Sequence, residues 1–442
     1  MRTCNNYIKR VFEHTKEIGC EYVEIVHIKQ EKTQFNILNG EIDNHIIASI
    51  EGISLSVKWK TKTGYAYTER FENPEELVMH AIDNAKYNEQ DEEVTRGNCV
   101  YIQKMRYCKL VDMSSSCKVA LAKDLEEAVY SKGIPDLKVI STLYNTKKNI
   151  VSIYNSKGMN LKQIYNTGYL SINVLMEKEG RKYPGLSYIS CNDQIDINSC
   201  AEGVINKVYA RIESISPKSG IYNIIIKNDI MTKLLQQISP IFSAERAYNG
   251  LSTLINKEGT IIASHLLTII DNPLMTNNYR KYDEEGTPSI KKDVIKNGKL
   301  ITLLYDVKMG IKMGKKSTSN GYCAGDGTAI SIYPTNMYIK NGKTSFEELK
   351  RMVDEVIVIT EVSGLNSGLN TTSGDFSLPA KGILITKNKN TPIEQFIISG
   401  NIYELFKSVI AVGNDIYFGI PTKSIFGSPS ILFNEFLISG KG

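Results

Sequence analysis

Hydrophobic residues recur along this chain with two periods, and the period changes several times. Tyr7, Ile8, Val11, Phe12 and Ile18 fall on one face of a helix that Gly19 ends. Strand-length runs follow at 22–28, 33–38 and 53–59, and the last alternates apolar and polar residues from Ile53 to Trp59. Asn39-Gly40 predicts a hairpin turn after the second run. Asn73-Pro74-Glu75-Glu76 opens a second helix, with Asn as cap, Pro in the first turn and acids at the positive end of the dipole. A third helix is predicted over 115–130, stopping at Gly133. Strands are predicted at 138–144, 149–156, 161–166 and 169–176, and then a helix carrying Ala201, Val204, Ile205, Val208 and Ile212.

Beyond residue 217 the texture changes. The first 217 residues hold 11 of the 32 glycines, and the remainder hold 21. Short helices are predicted at 229–238, 345–353 and 402–410, the second opened by the capping box Ser345-x-x-Glu348. Strands are predicted at 221–227, 261–270, 291–296, 300–305, 355–362, 382–387, 395–399 and 431–438. The long Gly/Ser/Thr/Asn-rich connections 306–328 and 363–380 exceed what a compact fold needs for linkage alone. The pattern predicts an α+β protein of two domains: an N-terminal α+β domain with an antiparallel sheet (1–217) and a β-rich C-terminal domain (218–442). The turn-forming segment Ser216-Pro217-Lys218-Ser219-Gly220 marks the boundary.

Composition narrows the function classes. Over 442 residues, 42% are apolar and 23% charged, which is ordinary for globular proteins. A net charge of +5 without a basic cluster gives little support for a nucleic-acid partner. No apolar run approaches the roughly 18 residues of a spanning helix, and Met1–Asn6 shows no hydrophobic signal core, so the expected location is the cytoplasm and no membrane role is expected. The eight cysteines include no CxxC pair and are expected to be free thiols.

Recognisable catalytic signatures are missing. Gly310-Ile-Lys-Met-Gly314-Lys315-Lys316-Ser317 is one residue short of a phosphate loop, and Gly325-Asp326-Gly327 lacks the third glycine of a dinucleotide fingerprint. His14, His27, His45 and His80 form no metal-ligand spacing, and His265 is the only histidine after residue 80. Ser264, His265 and Asp271 could be drawn as a triad, but no GxSxG elbow accompanies them. Cys323 in its Gly-rich loop is the remaining nucleophile candidate. What stands out is a series of glycine-containing words, each beside a β-rich run. They are Asp283-Glu284-Glu285-Gly286-Thr287-Pro288, Glu361-Val-Ser-Gly364-Leu-Asn-Ser-Gly368, Thr372-Ser373-Gly374-Asp375-Phe376-Ser377-Leu378, Ile398-Ser399-Gly400-Asn401 and Val412-Gly413-Asn414-Asp415. Taken singly, each reads as turn chemistry.

In this order and spacing the words resemble the TldD/PmbA family, over essentially the whole chain and most specifically from Gly220 to Gly440. The TldD kind carries a metallopeptidase His-Glu-x-x-x-His helix completed by a Cys near the carboxyl terminus, whereas the PmbA (TldE) kind lacks those ligands and associates with the first. The matching place here reads Gln236-Gln237-Ile238-Ser239-Pro240-Ile241, and no Cys follows Cys323. The resemblance therefore implies a PmbA-like chain with no catalytic residue or metal ligand of its own. It implies zinc in a TldD-like partner, a heterodimer with that partner or a homodimer, and an unfolded peptide as substrate. Gly364, Gly368, Ser373, Gly374, Asp375, Phe376, Gly400 and Asn401 are the candidates for lining the peptide cavity. One way a β-rich domain can hold such a peptide is by adding it as a strand. A stand-alone hydrolase built on Cys323 or His265, and a regulatory binding protein, are the alternatives.

Overall fold

In the computed structural model the described residues are 2–88, 98–102, 108–190, 194–209, 211–212, 214–275, 279–323, 330–387, 389–420 and 424–440. The first half contains α1 (Arg2–Ile18), β1 (Tyr22–Leu38), β2 (Glu41–Trp59), β3 (Lys62–Thr68), α2 (Pro74–Tyr87), β4 (Val100–Ile102), α3 (Lys109–Asp112), α4 (Ser115–Tyr130), β5 (Leu137–Asn155), β6 (Asn160–Lys178), β7 (Arg181–Ser190) and α5 (Ile197–Tyr209). Its sheet runs β3-β2-β1-β5-β6-β4, with β7 alongside β6, and every pairing is antiparallel except that of β4 with β6.

The strands are longer than the hydrophobic runs. The runs 22–28 and 33–38 form one strand because the polar stretch Lys29–Lys32 is paired on both sides, to β2 and to β5. A polar stretch does not interrupt a strand whose backbone groups are satisfied by two neighbours. The same holds where 138–144 and 149–156 merge into β5, and where 161–166 and 169–176 merge into β6. The Asn39-Gly40 turn forms as expected, with both residues at positive φ. Asn73 precedes α2 without a side-chain capping bond; its amide turns to Glu76 instead.

The strand alternation divides the sheet's two faces. Val23, Ile25, Leu55 and Val57 meet α1 and α2 at one end, while Phe35, Ile37, Tyr144 and Leu170 meet α4 and α5 at the other. In β1 these positions are 23, 25, 35 and 37, so both helix layers cover the same face, with His27 between them. On the opposite face Val26, Ile153 and Leu161 pack with Cys323 and Tyr282 from the second half. Gln163 donates to the Tyr282 carbonyl at 2.7 Å, Tyr188 hydrogen-bonds Tyr417, and Arg211 pairs with Glu361, so polar contacts also join the halves.

The second half contains β8 (Gly220–Ile226), α6 (Asn228–Ile238), a 3-10 turn (Ser239–Phe242), α7 (Ala244–Tyr248), β9 (Ile269–Asp271), β10 (Lys292–Lys296), β11 (Lys299–Leu300), α8 (Val307–Lys312), β12 (Gly321–Cys323), β13 (Ile330–Ile332), β14 (Asn336–Ile339), α9 (Phe346–Arg351), β15 (Glu355–Val362), β16 (Asp375–Thr386), β17 (Lys389–Asn401), α10 (Ile402–Lys407), β18 (Val409–Val412), β19 (Tyr417–Phe418), β20 (Ile425–Ser428) and β21 (Ile431–Ser439). One sheet runs β17-β16-β15-β8-β21-β18 and is closed by Ile397 and Ile398 of β17 pairing with Ser439 and Ile438 of β21. A second runs β11-β10-β9-β14-β20-β19, and β12-β13 form a ribbon. The apolar side of α6 (Ile230, Met231, Leu234, Leu235) belongs to a core shared by both larger sheets.

Five expectations change here. The strand predicted at 261–270 is confined to Ile269–Asp271, and that at 300–305 to Lys299–Leu300. Ile262, Leu267, Leu303 and Leu304 are buried without a continuous partner strand, which apolarity alone does not disclose. Asp375–Leu378, predicted as connection, is the first part of β16. The helix predicted over 402–410 ends at Lys407, and the chain continues as β18. Cys4, Cys20, Cys99, Cys117, Cys200 and Cys323 are free as expected, but Cys108 is disulfide-bonded. Both folded halves mix helices and sheets, in keeping with the α+β expectation. Among the described residues no helix is long and apolar enough to cross a membrane.

Candidate functional site

The loop after β15 doubles back on β16 and shapes the strongest candidate site. Gly364, at φ +69°, opens a tight turn closed by the Gly368 amide on its carbonyl at 2.7 Å. The Ser377 amide donates to the Gly368 carbonyl at 2.8 Å, and the Asn370 amide to the Asp375 carbonyl at 2.8 Å. A side chain at residue 368 would place its Cβ 2.4 Å from the Ser377 carbonyl oxygen, so glycine lets the loop lie this close. On its other side the same stretch of β16 pairs with β17, Asp375 facing Asn401 and Ser377 facing Ser399. Both edges of Asp375–Pro379 are therefore occupied by the chain itself. Strand addition of a peptide at this point, the mode anticipated from the β-rich pattern, has no free edge to use.

The tip brings four of the predicted residues together. Asn401 caps α10 by accepting from the Tyr403 amide at 3.0 Å, and its own amide donates to the Ser373 carbonyl at 3.0 Å and the Asp375 carboxylate at 2.9 Å. The Asn401 amide and then the Ser373 hydroxyl hold the Asp375 carboxyl below its ordinary range. Gly374, at φ +86°, packs against Tyr403, and an added Cβ would stand 2.9 Å from that ring. Phe376 and Gly400 belong to the layer beneath, where Phe376 stacks on Phe436 at 5.8 Å and a Cβ at residue 400 would meet Phe436 at 2.7 Å. Gly364 and Gly368 form the base of the loop, away from this tip.

Two residues that sequence reasoning did not select border the tip. Arg246 of α7 donates to the Thr371 hydroxyl at 3.0 Å, but its Nε is buried with no hydrogen-bond partner among the described residues, and so is the Tyr403 hydroxyl. A buried polar group left unpaired costs about 1–3 kcal/mol, so such groups mark places where something other than packing is retained. Neither carries a motif in sequence. Tyr403 could have been suspected from its place two residues after a capping Asn.

The acidic word Asp283-Glu284-Glu285 is structural. All three carboxylates are buried and accept from backbone amides: Asp283 from Glu285, Thr287 and Gly321, Glu284 from Cys323 at 2.6 Å, and Glu285 from Val307 at 2.8 Å. The drawn triad does not assemble. Ser264 donates to the Val409 carbonyl, His265 is exposed, and the buried Asp271 carboxylate accepts from the Thr335 and Asn336 amides, Lys292 and Asn320. Cys323 is buried within the contact between the halves. The word Gly325-Asp326-Gly327 lies outside the described residues. His27, which sequence shows without partners, is brought by strand register and helix docking to Glu51 and Cys4.

Residues 219–440 match the model of the PmbA/TldA metallopeptidase C-terminal domain, and residues 108–212 that of the central domain. The chain belongs to the PmbA/TldD family. Metalloprotease PmbA of Escherichia coli O157:H7 is 23% identical over 428 residues, covering 91% of this chain and 88% of that protein. A metalloprotease TldD homologue from Buchnera aphidicola is 27% identical over 264 residues, 56% of this chain and 54% of that protein. The crystal structure of TldE from Thermococcus kodakarensis shares the fold with a TM-score of 0.86, at 21% identity, over 99% of this chain and all of that one.

The resemblance puts the family's zinc ligands at 236–241, where nitrogen, oxygen or sulfur donors would be needed, and the residues here do not fit such a zinc. Gln236 is exposed and Gln237 half-buried on the last turn of α6, and neither amide is a tight zinc donor or a general base. Pro240 follows in the 3-10 turn, where the chain leaves the α-helix. Ile241, at the place of the second His, is 1% exposed within the core and offers only hydrocarbon.

Proposed function

We propose that this protein is a non-catalytic subunit of a PmbA/TldD-type peptidase that helps enclose unfolded peptides for a zinc-bearing, TldD-like partner in the cytoplasm. The observation that carries this reading is the stretch from α6 to the 3-10 turn. In the alignment that the resemblance implies, Gln236, Gln237 and Ile241 take the positions of the metal ligands and general base, at the end of α6 and in the 3-10 turn. The loop built on Gly364 and Gly368, and the tip formed by Ser373, Gly374, Asp375 and Asn401 over Phe376 and Gly400, contribute to the wall of the peptide space. Because both backbone edges of β16 are used there, contact with a peptide runs through side chains and loop carbonyls. Pairing is with the TldD-like chain, and a two-fold pair of identical chains is the form expected without it. The test is light scattering of this chain mixed with the HExxxH-bearing homologue of the same genome. A stable one-to-one complex at micromolar concentration is expected, and two non-interacting species contradict it.

A further inference from the structure

The face of the first sheet that carries the two helix layers is polar between them, where Lys29, Glu31 and Thr33 follow His27 along β1. His27 stands there on β1, and its opposite neighbour in register is Ile53 of β2. Glu51, two residues earlier, is therefore on the same face and diagonal to His27, within reach of a long side chain. From above, Cys4 occupies the first position of the apolar stripe Cys4, Tyr7, Ile8, Val11 that docks α1 on the sheet. The sequence thus separates these residues by 23 and 24 positions, and the fold brings them to one place.

We propose that Cys4, His27 and Glu51, in the first half of the chain, form a binding site for a divalent cation of the zinc class. The argument is geometric. Both other groups approach the same ring nitrogen: Cys4 Sγ lies 3.5 Å and Glu51 Oε1 2.9 Å from His27 Nε2. All three candidate donor atoms lie within 4.8 Å of one another. A single N–H on Nε2 serves the Glu51 carboxylate and reaches the Cys4 sulfur only as a long contact to a weak acceptor. A cation among them satisfies all three. Ligands about 2.0–2.3 Å from a tetrahedral zinc stand roughly 3.3–3.6 Å apart, so the sulfur–nitrogen separation already fits and the carboxylate has to withdraw by a few tenths of an ångström.

The surroundings support a held ligand set. Lys29 approaches the other carboxylate oxygen, Glu51 Oε2, at 4.0 Å, which leaves Oε1 turned to His27. Phe71 stands edge-on to the imidazole with ring centroids 6.4 Å apart and restricts its rotation. Cys4 is buried, while Glu51 is about one-third exposed and gives the ion a route from solvent, with water completing the fourth position. Thiolate, imidazole and carboxylate together suit zinc better than magnesium or calcium, which take oxygen donors.

The test uses the full chain, purified, loaded with zinc, dialysed and measured by elemental analysis, with cobalt as a spectroscopic substitute. The expected result is about one equivalent of zinc per chain, and a cobalt form showing thiolate charge-transfer and tetrahedral visible bands. Cys4→Ser and His27→Gln should lose both. Glu51→Gln, a shape-conserving change, should weaken zinc binding about tenfold or more. Cys99→Ser, a buried thiol outside the cluster, should retain both. Zinc far below stoichiometry in the wild-type chain, or the same zinc content in all the variants, overturns the site and leaves an ordinary His–Glu pair. Neither outcome bears on the subunit reading, which concerns α6.

Discussion

Asp375 shows how single residues can be read in this structure. Its carboxyl is held below the ordinary carboxylate range by the Asn401 amide and then by Ser373. A group whose folded value is depressed contributes stability above its unfolded value, near 3.9, and that contribution is lost as pH falls through the folded value. The tip should therefore keep its hydrogen bonds at neutral pH and release them only in acid. Asn401→Ala should raise the Asp375 midpoint toward the ordinary aspartate range in a carboxyl-detected NMR titration. An unchanged midpoint would mean that Asn401 does not hold the carboxylate. At this scale the sequence was informative where a residue type has few uses, as with Gly374 and its positive φ. It was silent on Arg246 and Tyr403, each of which has one buried polar atom unpaired among the described residues.

Among the elements, those with local signals are the ones the sequence discloses. The capping box at Ser345 is present with both reciprocal bonds, and Gly19 and Gly133 take the left-handed conformation after the helices they follow. Ser345→Ala should cost about 1 kcal/mol, read as a lower urea midpoint with an unchanged slope. A change in slope instead would show that the cap shapes more than α9. Strand length was not legible, because it depends on neighbours. Lys29–Lys32 continues β1 only because β2 and β5 flank it, and Asp375–Leu378 becomes strand because β17 and the loop from Gly364 do the same. For the same reason the cluster of Cys4, His27 and Glu51 has no sequence signature. It is a product of register and of the docking of α1.

The halves of the molecule meet through a buried polar junction as well as an apolar one. Arg280 is 3% exposed, and its guanidinium lies 5.2 Å from the Tyr165 ring of the first half and 4.7 Å from the Tyr322 ring of the second. Arg280→Gln should destabilise the protein by about 2 kcal/mol or more and raise amide exchange along β6; unaltered stability would show that the apolar contacts suffice. No residue pattern announces this junction. The central claim concerns the whole assembly: a chain with the peptidase fold and no peptidase ligands serves a partner that has them. The most direct measurement is cleavage of an unfolded peptide by the HExxxH-bearing homologue, with and without this chain. Rapid cleavage only when both are present is predicted, with Gly374→Val in this chain reducing it and the distant surface change Lys387→Ala leaving it intact. Equal cleavage by the homologue alone would contradict the account.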